Sequence, residues 1–483
     1  MSGVMDCNKS IILPPEVLQE IEEALNAPLF FGMPVGATMT DALSVALYTG
    51  NRVWNWRARI TDFLRYYYQR FHQPLFSLRD FSQYEGRIVF TWQFDRQDLK
   101  AFVLPLVENY GHDNSVIVGP LASMQAQLPN RTNFILLGEF PKIDMRIWRR
   151  EFDRCLPIWR HRLNQVLARH LVPKFVAIFL LRRLQIQTQR IMAASQFLEV
   201  VRPRIIVTEC DRSGLASCLV LAARQRNIPA VTMVHGVLEP YPAYGFVPIL
   251  ADYVCCWGDQ HRHNLMEHGV NAEHLIVTGC HAISQTLDVS VDAARLKVGL
   301  AVNKPVVLFA TQPFKLEDKK RNARVFCVAM TKLIDVTAVV RLHPAENIGE
   351  YQELIDEFPN VMFLSNEVMS RDESLAASDI VVNYESSFGV DALLKGKLVI
   401  ILDVLAVPLK IGKELVEMAG CPSAKGADEL TLVIRQILTN ENFRNELQVT
   451  AEKYCKTYCD SYGQDALKNV SRVIDHAIER GEH

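Results

Sequence analysis

The chain has 483 residues, of which 49% are hydrophobic and 22% charged, and a formal net charge of -2. This length is too great for one hydrophobic core, and the composition is that of an ordinary globular protein of two domains. The near-neutral balance excludes a nucleic-acid binder that works by bulk charge.

The stretch from Met1 to Pro15 carries Asp6 early and no long apolar run, so it does not read as a secretion signal. To about Tyr84 the chain is expected to be helical and aromatic-rich. Arg52, Arg57, Arg59, Arg65 and Arg70 interleave there with Trp54, Trp56, Phe63, Tyr66, Tyr67, Tyr68 and Phe71. That pattern suits a surface for an anionic glycan, lipid head group or nucleic acid. It suits equally an amphipathic helix with an aromatic core face, the commoner use of such stripes.

Strands and helices then alternate. Short runs rich in Val and Ile predict strands at Arg87–Trp92, Ser115–Gly119, Asn133–Leu137, Arg204–Thr208, Ala230–Val234, Tyr253–Trp257 and Leu275–Thr278, as in a parallel sheet buried on both faces. Between Met145 and Val200 lies a basic helical stretch with Trp148 and Trp159, expected to pack on this domain as an insertion. Its most apolar run, Phe175–Leu181, is flanked by Lys174 and Arg182 and is too short to span a bilayer. A cytoplasmic protein is expected, with peripheral contact at the inner membrane face compatible. From Lys304 a second series follows: Val306–Ala310, Ala338–Leu342, Val361–Leu364, Ile380–Tyr384 and Leu398–Leu402, implying βαβ units and a second parallel sheet. Asp288–Asn303 reads as the linker between the two. The expected domains are therefore a helical extension over 1–84, a Rossmann-like domain over 85–287 with its insertion at about 145–200, a second Rossmann-like domain over 304–462, and a final helix over 463–483 packing back at the junction.

Several familiar signatures are absent. The eleven cysteines contain no C-x-x-C, and only Cys255 and Cys256 are adjacent, so neither a zinc ribbon nor a redox motif is indicated. Reduced, partly buried thiols are expected. No G-x-G-x-x-G follows a strand, and Gly389–Lys397 has the wrong spacing for a P-loop, with Leu398 where a Ser or Thr would hold magnesium. No Asp-x-Asp is present to call for a metal.

What remains is polar chemistry at strand ends, where doubly wound sheets bind ligands. Thr208-Glu209-Cys210-Asp211 ends one strand and Val234-His235-Gly236 another. Glu209, Asp211 and His235 are the candidates for a general base or its orienting partner, and Asp211 is equally suited to capping the next helix. In the second series, Thr311 and Gln312 end the first strand. Arg341-Leu342-His343-Pro344 presents an imidazole from a turn that proline stiffens. Glu385-Ser386-Ser387-Phe388-Gly389 opens a helix, where hydroxyls and unpaired backbone N–H groups suit a phosphate.

Residues from about Arg204 to Val404 resemble bacterial surface-polysaccharide glycosyltransferases of the GT-B fold, a group that includes capsule sialyl- and Kdo-type transferases and teichoic-acid glycerophosphotransferases. The resemblance is carried by "IIVTECDRSGLASCLVLAARQRNIPAVTMVHG", "ADYVCCWGDQHRHNLMEHGVNAEHLIVTGC", "VVRLHP" and "SDIVVNYESSFGVDALLKGKLVIILD". It implies an α/β protein with two Rossmann-like domains facing across a cleft. It also implies nucleotide contacts by His343 and Pro344, phosphate binding by Ser386 and Ser387, and an acceptor side holding Glu209, Asp211 and His235. Thr311, Gln312, Arg341 and Glu385 would complete the donor side. The first 200 residues match no pattern of this group.

The expectation is transfer of a sugar, of sialic, pseudaminic or Kdo type, from a cytidine nucleotide to a hydroxyl of a surface glycan. The cytidine assignment follows from the His-Pro motif, which looks like the one shared mainly among cytidine-nucleotide users. No metal or other cofactor and no nucleic-acid partner are expected. Two alternatives use the same sheets. One is a UDP-N-acetylhexosamine 2-epimerase, which calls for more acids in the cleft. The other is a non-catalytic module that docks nucleotide or glycan.

Overall fold

The computed structural model describes residues 15–39, 43, 80–93, 95, 97–172, 175–212, 214–236, 238, 247–283, 289–313, 316–405 and 411–481. The interleaved arginines and aromatics of 52–71 lie outside the described residues.

Two all-parallel sheets organise the chain. The first comprises β1 (Ile88–Thr91), β2 (Ser115–Gly119), β3 (Phe134–Leu136), β4 (Ile205–Thr208), β5 (Ala230–Met233), β6 (Tyr253–Cys256) and β7 (Leu275–Val277), in the order β3-β2-β1-β4-β5-β6-β7. The second comprises β8 (Val306–Ala310), β9 (Thr337–Arg341), β10 (Val361–Leu364), β11 (Ile380–Asn383), β12 (Leu398–Leu402) and β13 (Ser423–Ala424), in the order β10-β9-β8-β11-β12-β13. Every strand expected from the Val/Ile runs is present, displaced by at most one residue at an end; β13 is too short to announce itself.

Both sheets are wound the same way. Each starts in the middle, builds outward to one edge, then returns to the middle and builds toward the other. The order therefore reverses between β1 and β4, and between β8 and β11. The return from β3 to β4 carries two long helices, Met145–Arg169 and Phe175–Val201. The buried stripe of the first, Trp148, Phe152, Cys155, Trp159 and Leu163, joins the core on one face of the first sheet. Trp148 Nε1 donates to Thr188 Oγ1 at 3.1 Å and closes the pair, while Trp159 Nε1 donates to Pro28 O at 3.2 Å and ties it to the amino-terminal helix Pro15–Asn26.

Asp288–Asn303, read as a linker, contains the helix Val291–Lys297, started by Ser290 Oγ accepting from Ala293 N. Its buried Arg295 donates to Ala377 O at 2.9 Å and pairs with Asp379 Oδ2 at 2.6 Å, which fastens the segment to the second sheet. The last helix, Gly463–Gly481, lies against β4, β5 and β6 of the first sheet. Tyr110 Oη donates to Ser471 O at 3.0 Å and Arg480 Nη1 to Tyr253 Oη at 3.1 Å along this contact. One apolar core runs through residues of both sheets, with Tyr454, Tyr458 and Leu467 among its members.

The chain reaches that last helix by crossing the end of β7 very closely. Cys280 N donates to Ser461 O at 2.9 Å, and a Cβ added to Gly279 would lie 2.2 Å from the same oxygen. Gly279 also has φ +80°, a conformation that costs an L side chain energy. Gly279→Ala is therefore expected to destabilise by roughly 1–3 kcal/mol, lowering the thermal midpoint by several degrees. An unchanged midpoint in differential scanning fluorimetry would mean that the crossing is not packed this way.

Candidate functional site

At the first reversal, the acid that ends β4 reaches across to β1. Glu209 Oε1 accepts from Gln93 N at 2.5 Å and Oε2 from Thr91 Oγ1 at 2.8 Å, with Thr208 Oγ1 2.9 Å from Thr91 Oγ1. The side chain is wholly buried. Loss of hydration outweighs these hydrogen bonds and pushes the Glu209 carboxyl up to about 7. Its main chain has a second task. Glu209 O lies 2.6 Å from His235 Nδ1, and a carbonyl only accepts, so Nδ1 carries the hydrogen. The lone pair of the neutral ring is then on Nε2. The half-buried His235 is further set by its strand end, where Val234 O accepts from Trp257 Nε1 at 2.6 Å.

Asp211 stands apart from this pair. Its Oδ2 accepts from Leu250 N at 2.6 Å and Ala251 N at 2.9 Å, clamping the approach to β6, and burial raises its pKa. It does not cap the following helix either, which starts at Ala216 with Leu215 at its N-cap. The neighbouring Arg212 forms a buried ion pair with Glu22 of the amino-terminal helix.

At the second reversal the bridge is an amide. Gln312, ending β8, accepts at Oε1 from Glu385 N at 2.9 Å, just past β11. The Glu385 carboxylate is spent on the start of the helix Ile411–Glu417, accepting from Ile411 N at 3.2 Å and Gly412 N at 2.5 Å. Thr311 is also internal: buried, its Oγ1 donates to Glu346 Oε2 and accepts from His343 N at 2.9 Å. Of the four strand-end residues Thr311, Gln312, Glu385 and Arg341, none is a simple surface donor.

His343 is presented by this scaffold. Its Nδ1 accepts from Ala345 N at 3.1 Å, so the neutral ring carries its hydrogen on Nε2. Burial holds its pKa below the usual value, aided by Arg341 and opposed by Glu346. Neutral or charged, this imidazole offers an Nε2–H donor. Glu346, which sequence reasoning missed, organises the turn: it accepts from His343 N at 3.0 Å and Tyr351 Oη at 2.8 Å and pairs with Lys319 at 3.4 Å. An acid three residues beyond the histidine in a proline turn was its available signal. Pro344 follows, exposed.

Ser386 is the N-cap of the helix Ser387–Leu394, its Oγ accepting from Phe388 N at 3.2 Å, and Ser387 is exposed in the first turn. Gly389 lets this helix approach β11, since a Cβ there would sit 2.6 Å from Asn383 Nδ2. Behind the helix start the buried Arg341 guanidinium lies 5.3 Å over the Phe388 ring and donates to Asn366 Oδ1 at 2.5 Å. Burial, with Arg371 nearby, lowers its pKa to about 10, so it stays cationic at neutral pH. Among the described residues, no group of three or more His, Cys, Asp or Glu is placed to hold a metal ion, and no helix is long and apolar enough to cross a membrane.

No protein-family profile matches the chain, and no curated protein sequence matches it. Solved structures do share its fold. An S. aureus MnaA–UDP co-structure superposes with a TM-score of 0.51 at 12% identity, covering 82% of this chain and 97% of the other. A putative UDP-N-acetylglucosamine 2-epimerase from Listeria monocytogenes gives 0.51 at 14% identity, over 81% of this chain and 96% of the other. The fold is the two-domain, Rossmann-like GT-B arrangement.

Glu209 supplies a direct test of the first reversal. Its pKa is raised in the folded state, so its stabilising contribution is full below the unfolded value near 4.5 and is lost as pH rises through about 7. Glu209→Gln removes that titration. Denaturant unfolding is expected to show the variant gaining on the parent protein between these pH values; parallel stability curves would mean that the carboxyl is not buried as described.

Proposed function

We propose that the chain is a nucleotide-sugar enzyme that transfers a glycosyl group to a hydroxyl acceptor. The observation that carries this reading is the opposite tautomer of the two strand-end histidines. His235 has its acceptor nitrogen at Nε2, as a base needs. His343 has its donor there, as a phosphate ligand needs. In the proposed step the acceptor O–H proton moves to His235 Nε2 while the acceptor oxygen bonds to the anomeric carbon. The bond from that carbon to the phosphate oxygen breaks, and its electron pair leaves with the nucleotide. His343 Nε2–H, the hydroxyls of Ser386 and Ser387 and the N–H groups of the helix start stabilise the charge that develops there. Glu209 is a positioning residue on this reading, since its carbonyl orients His235 while its carboxyl is sealed. Thr311, Gln312 and Glu385 hold the second rim in shape, and Arg341 supplies a fixed positive charge behind it.

The donor is proposed to be a pyrimidine nucleotide-sugar. The sequence resemblance favours a cytidine nucleotide carrying a nonulosonic acid, and the MnaA structure of the same fold was solved with UDP. A second reading, 2-epimerisation of a UDP-N-acetylhexosamine, draws on the name of the Listeria structure. Inverting C2 calls for proton handling on two faces of the sugar. Among the described residues at the first rim, Asp211 is already committed to Leu250 and Ala251 and Glu209 to β1, which favours transfer with one base.

Binding and chemistry separate by variant. CMP, CDP or UDP at about 100 times its Kd is expected to stabilise the protein by roughly 2.7 kcal/mol, with GDP weaker. His343→Ala and the pair Ser386→Ala, Ser387→Ala should lose this shift, and His235→Ala should keep it. Equal shifts in all variants would remove the nucleotide from the second rim.

Activity then decides the reaction. His235→Ala is expected to lower kcat roughly 10²–10⁴-fold at little cost to nucleotide binding. Formation of an epimer from UDP-N-acetylglucosamine without any acceptor would establish the second reading, and nucleotide binding by the parent protein with no turnover of any donor would leave only a docking module.

A further inference from the structure

The helix Met145–Arg169 has an outward face with its own chemistry. Between Met145 and Arg169 it carries seven arginines, and two of them are spent on ion pairs, Arg154 with Glu151 and Arg169 with Glu20. Arg146, Arg149, Arg150, Arg160 and Arg162 are exposed, with no acidic partner among the described residues. Ile147 and Ile158 are also open to solvent, 47% and 42% exposed. Eleven residues are three helical turns, so the two isoleucines stand on one line along the helix, roughly 16 Å apart. At about 100° per residue, Arg150 falls on one side of that line and Arg162 on the other. Asp153, the exposed acid of this helix, is turned roughly 120–140° away from the isoleucines. Leu171, in the turn after this helix, is 89% exposed, and Ile178 in the second helix is 58% exposed.

The fold does not use this line, since the stripe that packs against the first sheet, Trp148, Phe152, Cys155, Trp159 and Leu163, lies roughly 80–160° round the helix from Ile147. Charge and apolarity together identify its partner. Arginines alone would suit any polyanion. Isoleucines on the same line gain nothing from a polyanion and gain free energy from hydrocarbon, and interfacial helices combine these two features. We propose that the outward face of this helical pair docks on an anionic lipid bilayer. Arg146, Arg150 and Arg162 would lie at the headgroup phosphates, and Ile147, Ile158 and Leu171 would reach the acyl boundary. The contact is peripheral, as no described helix is long and apolar enough to cross. It rests on none of the chemistry of the two rims, so either can fail without the other.

The test is sedimentation of the full chain with vesicles of phosphatidylcholine alone and of phosphatidylglycerol mixed with phosphatidylcholine. Binding is expected to the mixed vesicles and to weaken with salt. The variant Arg146→Gln, Arg150→Gln, Arg162→Gln should bind roughly 100-fold more weakly. The variant Ile147→Ser, Ile158→Ser should also lose binding, most visibly at high salt, where the electrostatic part is screened. All altered positions are exposed, and an unchanged thermal midpoint confirms that each variant is folded. Equal sedimentation with both vesicle types, or none with either, overturns the proposal. So does capture by heparin that depends on the arginines and ignores the isoleucines, which would make the face a polyanion site.

Discussion

Each sheet is held at the point where its strand order reverses by a hydrogen bond that crosses the reversal. Reversal sends the connecting helices to opposite faces and opens a crevice at the strand ends. It also leaves main-chain groups there that need partners. In the first sheet Gln93 N finds one in the Glu209 carboxyl, and in the second Glu385 N finds one in the Gln312 amide. The crossing is made in opposite senses, by a side chain from the returning strand in the first sheet and from the starting strand in the second, and the chemistry differs as well. A buried carboxyl is poorly solvated and shifts toward its neutral form, so the first crevice contains a group that titrates near neutrality. The amide brings no charge, and the polarity of the second crevice is set by His343, the Ser386 helix start and the Arg341 guanidinium.

Those bridges decide which atoms are left for a ligand. Glu209 fixes β1 and β4 with its side chain and His235 with its carbonyl, so one residue sets both the crevice and the tautomer of the imidazole beside it. Glu346 does the corresponding work in the second domain, collecting Thr311, the His343 main chain, Tyr351 and Lys319 at one carboxylate. His343 is then fixed by Ala345 N in the opposite tautomer. The helical pair between β3 and β4 sits in the crossover that creates the first reversal, and the last helix returns to cover that sheet.

The strands were legible because a parallel strand buried on both faces must be a short Val/Ile run, as Val306–Ala310 and Leu398–Leu402 are. The helix opened by Ser386 was legible from its two serines at a strand end, and it starts at Ser387 with Ser386 as its N-cap. The internal partners of Thr311, Glu385 and Asp211 were not legible, for one shared reason. Each is a polar residue at a strand end, and its partner lies far along the chain: Glu346, Gly412 and Leu250. Local sequence does not distinguish a strut from a ligand contact when the partner is set by topology. The helix Val291–Lys297 within the segment Asp288–Asn303 was not legible because it is short and its anchor, Arg295, pairs with Asp379, far along the chain. Glu346 was not legible because two of the groups it collects, Thr311 and Lys319, are brought to it by the sheet and not by local sequence.

The claim on which the rest depends is that the two histidines are fixed in opposite tautomers and that the second one meets the nucleotide. Proton–nitrogen correlation spectra of ¹⁵N-histidine protein, assigned with His235→Ala and His343→Ala, report which ring nitrogen carries hydrogen. The expected result is hydrogen on Nδ1 of His235 and on Nε2 of His343, with UDP or CMP moving the His343 signals and leaving the tautomer of His235 unchanged. The same tautomer at both rings, or a nucleotide response at His235 alone, would contradict it.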